Sequence, residues 1–214
     1  MIASFSNNFI FVKTRKVGGT SLEIVLSSWC SGRDICTPIA GNDEPIRAIY
    51  GGKARNNLGP GGGKRFINHM PSDEIRAKLP GLWDRAFKFT VERHPYEKVV
   101  SRAFWEIGKP DGFPNSTLEE QVDIAIETGS YLNYPLYCSD GKVVVDEIWK
   151  FEEMWERLAE LAARLGKSTP SAPPRAKSAY RKDRRPAAEL LTKDQRRRIA
   201  EAARIEFELL GFEP

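Results

Sequence analysis

Four consecutive apolar residues, Phe9 to Val12, run into the basic segment Lys13-Thr14-Arg15-Lys16-Val17, then Gly18-Gly19, then Thr20-Ser21-Leu22. A β-prone run, a turn with paired glycines and a helix-opening segment, in that order, read as strand, loop and helix. The glycines permit positive φ and remove side-chain bulk. Successive backbone N–H groups can then converge on an anion at a helix N-terminus, where the helix dipole also favours negative charge. Lys16 adds a full positive charge at that anion. Leu22, Val25, Leu26 and Trp29 recur at helical spacing, so a helix is expected over 21–29 with that stripe in the core.

A second junction of the same kind follows. Phe87 to Glu92 alternates like a strand, and Arg93-His94-Pro95-Tyr96-Glu97-Lys98-Val99-Val100-Ser101 continues as a helix with Pro95 in its first turn. Arg93 stands just before that helix and Ser101 about two turns into it. A guanidinium fork and a hydroxyl suit phosphate recognition. Glu97 and Lys98 are expected to face solvent, with Val99, Val100, Ala103 and Phe104 in the core.

Between the junctions, residues 31–65 are rich in Gly, Pro, Asn and charge and read as a structureless insert, which Arg47, Lys53, Arg55, Lys64 and Arg65 would suit to a lid or an acceptor-gripping role. Phe66 to His69 reads as a short strand ending in His69, followed by a helix with Asp73 and Glu74 in its first turn. Further on, Ser116 to Glu119 is a capping-box candidate for a helix to about Thr128, Val143 to Ile148 a strand, and Phe151 to Leu165 a helix. Thr192 to Gln195 caps a last helix whose stripe Ile199, Ala203, Phe207 and Leu210 ends before Gly211.

The order of the first motif excludes the common nucleotide-kinase loop, in which lysine follows the glycines. Lys-x-Gly-Gly-Thr-Ser after a strand resembles the 5′-phosphosulfate loop of sulfotransferases that use 3′-phosphoadenosine 5′-phosphosulfate (PAPS). The carbohydrate-type branch, with Pro-Lys-Thr-Gly-Gly-Thr-Ser, is the nearest form; Arg15 stands in place of its proline and Val17 in place of its threonine. Arg-His-Pro-Tyr-x-x-x-x-Ser is similar to the 3′-phosphate motif of the same family. The resemblance implies that Arg15, Lys16, Gly18, Gly19, Thr20 and Ser21 hold the phosphosulfate, that Arg93 and Ser101 hold the 3′-phosphate, and that Lys16 is catalytic. It further implies that His69, which precedes Met-Pro, is the catalytic base; if His69 is not the base, an acid such as Glu92 or Glu44 becomes the candidate. Lys177 and Arg181, in a basic loop over 166–187, would close over the nucleotide.

The implied fold is an α/β, three-layer P-loop-like domain over 1–214, with a central mainly parallel sheet flanked by helices. The implied donor is PAPS, the product adenosine 3′,5′-bisphosphate, and the acceptor a hydroxyl, expected on a carbohydrate. No metal and no nucleic acid are expected. Two alternatives stand beside this reading: a small-molecule or nucleotide kinase with a non-standard loop, and a non-catalytic basic nucleotide- or RNA-binding protein.

Composition adds bounds. In 214 residues, 41% apolar, there is enough chain for a real core. A net charge of +4 suits a polyanionic nucleotide, an acidic glycan or nucleic acid alike. Three cysteines without a C-x-x-C pair point to a reducing compartment. No leader-like segment and no apolar run of spanning length is visible. Eukaryotic carbohydrate sulfotransferases generally carry a Golgi anchor, so the expectation is a cytoplasmic, bacterial enzyme.

Overall fold

A computed structural model of the chain describes residues 1–176 and 179–214. The strands are β1 (Ile2–Ser4), β2 (Phe9–Phe11), β3 (Ile35–Cys36), β4 (Phe87–Glu92), β5 (Cys138–Ser139), β6 (Lys142–Val143) and β7 (Glu147–Lys150). The helices are α1 (Gly19–Ser28), α2 (Glu44–Ile49), α3 (Ser72–Lys78), α4 (Pro80–Trp83), α5 (Pro95–Gly108), α6 (Leu118–Thr128), α7 (Tyr134–Tyr137), α8 (Met154–Leu165), α9 (Ala187–Leu190), α10 (Lys193–Ala202) and α11 (Arg204–Leu210). No described helix is long and apolar enough to cross a membrane.

Two compact units account for the chain. The first comprises Met1–Thr14, Gly18–Glu92 and Pro135–Ala176. It carries a five-stranded sheet of order β3-β1-β2-β4-β7. The expected mainly parallel sheet is instead mixed: β2–β4 and β4–β7 are parallel, while β1–β2 and β1–β3 are antiparallel. The reason is local. Only residues 5–8 join β1 to β2, too short for the crossover a parallel pair requires. An aromatic ladder fixes the middle of the sheet, with Phe89 stacked 4.1 Å from Trp149 and 5.3 Å from Phe11.

The 31–65 insert is not structureless. Its β3 joins the sheet, Cys36 and Arg55 form a bridge, and α2 places Arg47 in the interior. Phe66 to His69 forms a turn and not a strand. The strand expected over 143–148 is two strands, β6 and β7, separated at Val144 to Asp146.

The second unit comprises Arg15–Val17, Arg93–Tyr134 and the described part of Lys177–Pro214, and all its regular elements are helical. Its core joins Tyr96, Val99 and Val100 of α5 to Val122 and Ala125 of α6 and to Ile199 and Phe207 of α10 and α11. Pro95 opens α5, as expected. The capping box of α6 is Thr117 with Glu120, one residue later than expected, and Thr192 with Gln195 caps α10. The last helix breaks at Ala203 into α10 and α11, and Gly211 ends it with φ 61°.

Candidate functional site

In the sheet-bearing unit, β2 and β4 are parallel neighbours whose C-terminal ends are tied together. Val12 N donates to Phe89 O at 2.9 Å, Thr90 Oγ1 donates to Val12 O at 2.7 Å, and Thr14 Oγ1 donates to Val91 O. Both basic motifs leave the sheet from these adjoining ends. Gly18 is the N-cap of α1 with φ 71°, and a Cβ there would stand 2.9 Å from the Phe151 ring. Glycine is therefore required twice, by conformation and by space. A Cβ on Gly19 would meet Lys13 Cγ at 3.3 Å.

The first turn of α1 carries no acid and no side-chain cap, while the amides of Ser21 and Leu22 turn back to Gly18 O at 3.0 and 3.4 Å. By position, the Gly19 and Thr20 amides have no intrahelical acceptor. Thr20 and Ser21 are buried. Ser21 Oγ accepts from Ala176 N at 3.2 Å, which leaves its hydroxyl proton available to donate elsewhere. The expected loop components Gly18, Gly19, Thr20 and Ser21 thus share one helix terminus with the polarity an anion requires.

His69 adopts φ 56° in a turn, so it is not at a strand end as expected. Its Nδ1 lies 3.0 Å from Lys13 O. A carbonyl only accepts, so Nδ1 carries the proton and, in the neutral ring, Nε2 carries the lone pair. Neighbouring Asn68 donates to Pro38 O at 2.8 Å and accepts from Thr37 Oγ1 at 3.0 Å, which fixes the turn.

Beneath this turn lies a buried ionic cluster that the sequence did not reveal. Glu23 Oε2 pairs with Lys13 Nζ at 2.5 Å, and its Oε1 faces the Met1 amino group at 3.1 Å and Arg47 Nη2 at 3.5 Å. Burial alone would raise the Glu23 carboxyl, but Lys13, the Met1 ammonium and Arg47 outweigh it and hold it at about 2. Arg47 is therefore a structural cation and not an acceptor grip. Arg55 is structural too, donating to Cys30 O at 3.1 Å. Glu44 accepts from Ile39 N at 2.9 Å and faces Arg47 at 3.5 Å, so it anchors α2. Glu92, the other fallback base, is fully buried.

In the helical unit, Arg15 is held by its backbone: its N donates to Asn133 Oδ1 at 2.8 Å, and Asn133 Nδ2 donates to Arg15 O at 3.0 Å. Asn133 N and Tyr134 N both donate to Glu206 Oε1, at 2.6 and 2.9 Å, and Glu206 Oε2 pairs with Lys98 Nζ at 2.5 Å. Lys98 is thus fully buried rather than solvated. Its buried charge is tolerated because Glu206 neutralises it.

Lys16 adopts φ 62°, and its Nζ stands 5.1 Å from the centre of the Trp105 ring, which also has Arg102 at 4.9 Å and Lys109 at 4.5 Å. Burial first, and then repulsion from Arg102, push the Arg15 guanidinium below its ordinary value.

Arg93 Nη2 donates to Glu97 Oε2 at 2.9 Å, Arg181 Nη1 donates to the same oxygen, and Ala187 N donates to Glu97 Oε1 at 2.9 Å. Glu97 is therefore a hub and not a solvated residue. Burial would raise its carboxyl; Arg181, the Ala187 amide and Arg93 together draw it below its ordinary value. Arg181 also donates Nε to Asp183 O at 3.0 Å and Nη2 to Arg185 O at 2.6 Å. Ser101 lies on α5, half-buried. His94 caps α5, accepting at Nδ1 from Tyr96 N at 3.3 Å and donating from Nε2 to Glu213 O at 3.0 Å. Lys177 lies outside the described residues.

No family model, curated protein or solved structure matches this chain. The site therefore rests on its own residues. Of the expected site residues, Gly18, Gly19, Thr20, Ser21 and His69 belong to the sheet-bearing unit, and Arg15, Lys16, Arg93, Ser101 and Arg181 belong to the helical unit. Sequence reasoning missed Lys13, Glu23, Glu97, Asn133 and Glu206. The one available signal was Glu23, a carboxylate set within the otherwise apolar run of α1. A cleft of about 570 Å³ in the sheet-bearing unit is lined by the N-terminal ends of β2 and β4 together with Arg85, Asp146 and Arg164, and none of the motif residues lines it.

Proposed function

We propose that the chain is a P-loop-type sulfotransferase that moves a sulfuryl group from PAPS to an acceptor hydroxyl, with a carbohydrate as the acceptor class. The observation that carries this reading is the pairing of β2 with β4. Two phosphate-type motifs, in the order that the resemblance requires, depart from the tied C-terminal ends of adjacent parallel strands, where open α/β sheets bind ligands.

The residues fit such a donor. Gly18 and Gly19 leave no side chain over the N-terminus of α1, and that terminus bears no acid. The Gly19 and Thr20 amides, the Ser21 hydroxyl and the Lys16 ammonium would hold the phosphosulfate, and Arg93 with Ser101 the 3′-phosphate. PAPS supplies an activated sulfuryl group. The chain's contribution is to position the partners and stabilise charge as it develops, the amides and Lys16 acting on the leaving oxygen. His69, with its proton held on Nδ1 by Lys13 O, offers Nε2 to the proton of the acceptor hydroxyl.

Thermal-shift measurements with adenosine 3′,5′-bisphosphate, ATP with magnesium, and a short single-stranded RNA test the reading against a kinase and an RNA binder. Stabilisation by the bisphosphate above the other two is expected, followed by transfer of radiolabel from labelled PAPS to a glycan panel. A larger shift with ATP and magnesium overturns it in favour of a kinase.

A further inference from the structure

We infer that Glu97 is a positioning residue for 3′-phosphate recognition, clamping Arg93 and Arg181 side by side as one preorganised cationic pair. The inference rests on the proposed role of Arg93. Three donors from separated parts of the helical unit converge on this one carboxylate: Arg93 and Arg181 at Oε2, Ala187 N at Oε1. The side chains are sheltered, with 19% of Arg93, 22% of Glu97 and 14% of Arg181 exposed, so their geometry is held and not averaged by solvent.

A carboxylate beside a phosphate-binding arginine could instead compete with the phosphate. Three features favour the clamp. Glu97 takes the Nη2 donor of Arg93, and a guanidinium has about five N–H donors, so this contact by itself does not exhaust the fork. Two arginines and one carboxylate leave a net positive charge for a dianionic phosphate, and without Glu97 the two like charges would repel each other apart. Arg181 is also braced by Asp183 O and Arg185 O, so Glu97 fastens Arg93 to a fixed point and lowers the ordering cost at binding. The Ala187 contact ties the start of α9 to the same carboxylate, which couples the segment over 181–187 to the phosphate arginine.

The test is the ratio of affinities for adenosine 3′,5′-bisphosphate and adenosine 5′-monophosphate, measured by calorimetry on wild type, Glu97→Gln and Glu97→Ala. Loss of a charge-assisted arrangement should lower the wild-type preference for the bisphosphate about ten- to hundredfold in Glu97→Ala, with monophosphate affinity retained. Glu97→Gln keeps an acceptor oxygen and should lose only about three- to tenfold. If Glu97→Ala does not fold, Glu97→Gln carries the test. A ratio unchanged or raised in the variants overturns the clamp, because Glu97 is then a bystander or a competitor. A wild type with no preference for the bisphosphate overturns the 3′-phosphate assignment itself, and the clamp with it.

Discussion

Nδ1 of His69 donates to the carbonyl of Lys13, 3.0 Å away, tying the candidate base to the second residue after β2, where the phosphate-type loop begins. One hydrogen bond thus sets both the tautomer and the position of the ring. His69→Ala should slow single-turnover sulfuryl transfer about a hundred- to ten-thousandfold while leaving adenosine 3′,5′-bisphosphate affinity near normal. His94→Ala should do the reverse: it removes the cap of α5, destabilises the fold by about 1 kcal/mol and weakens the nucleotide, with proton transfer intact. A normal single-turnover rate in His69→Ala would remove it as the base.

Lys16→Ala should cost about 2.7 to 4 kcal/mol of barrier, the usual loss when one group stabilising a developing anion is deleted. Thermal stability should stay close to wild type, since the ammonium packs over the half-buried Trp105 ring, a contact of about 0.5 to 1 kcal/mol at an exposed site. Steady-state turnover with saturating donor checks it, and unchanged turnover would exclude Lys16 from the chemistry.

Arg93→Ala and Ser101→Ala should weaken adenosine 3′,5′-bisphosphate far more than adenosine 5′-monophosphate. Arg93 should have the larger effect, about 1.5 to 3 kcal/mol for a charge-assisted contact. Equal losses for both nucleotides would disprove the assignment.

Glu23 predicts an acid limit. Its folded pKa of about 2 lies below the ordinary 4.5, so its stabilisation is present in full above the ordinary value and is lost as pH falls from there toward 2. Glu23→Gln, which leaves Lys13 and Arg47 buried with no countercharge on that side chain, should cost about 3 to 5 kcal/mol at neutral pH and flatten the acid part of the stability curve. Chemical denaturation between pH 2 and 7 measures both.

Gly18→Ala should destabilise by about 1 to 2 kcal/mol from the left-handed backbone alone, with a further loss as Phe151 moves away from the new Cβ. Nucleotide affinity should fall with it, because the same turn aims the amides of α1. Denaturation and calorimetry on one variant test both effects.

The sequence by itself determined the local grammar. Phe9 to Val12, the paired glycines, Pro95 and the Thr117 and Thr192 caps act over a few residues, and their periods and backbone limits are legible without neighbours. Tertiary structure decided the rest. β1 is three residues long, too short for its period to be legible, and its strand character comes from pairing with β2 on one side and β3 on the other. The insert over 31–65 looked unstructured because its order comes from distant partners: β3 leans on β1, and Arg47 finds Glu23 across the fold. Glu97 and Lys98 read as surface residues because their countercharges, Arg181 and Glu206, stand 84 and 108 positions away. A lone charge is costly to bury and a paired one is not, so the burial of a charged side chain is a property of the pair, and only the fold brings that pair together.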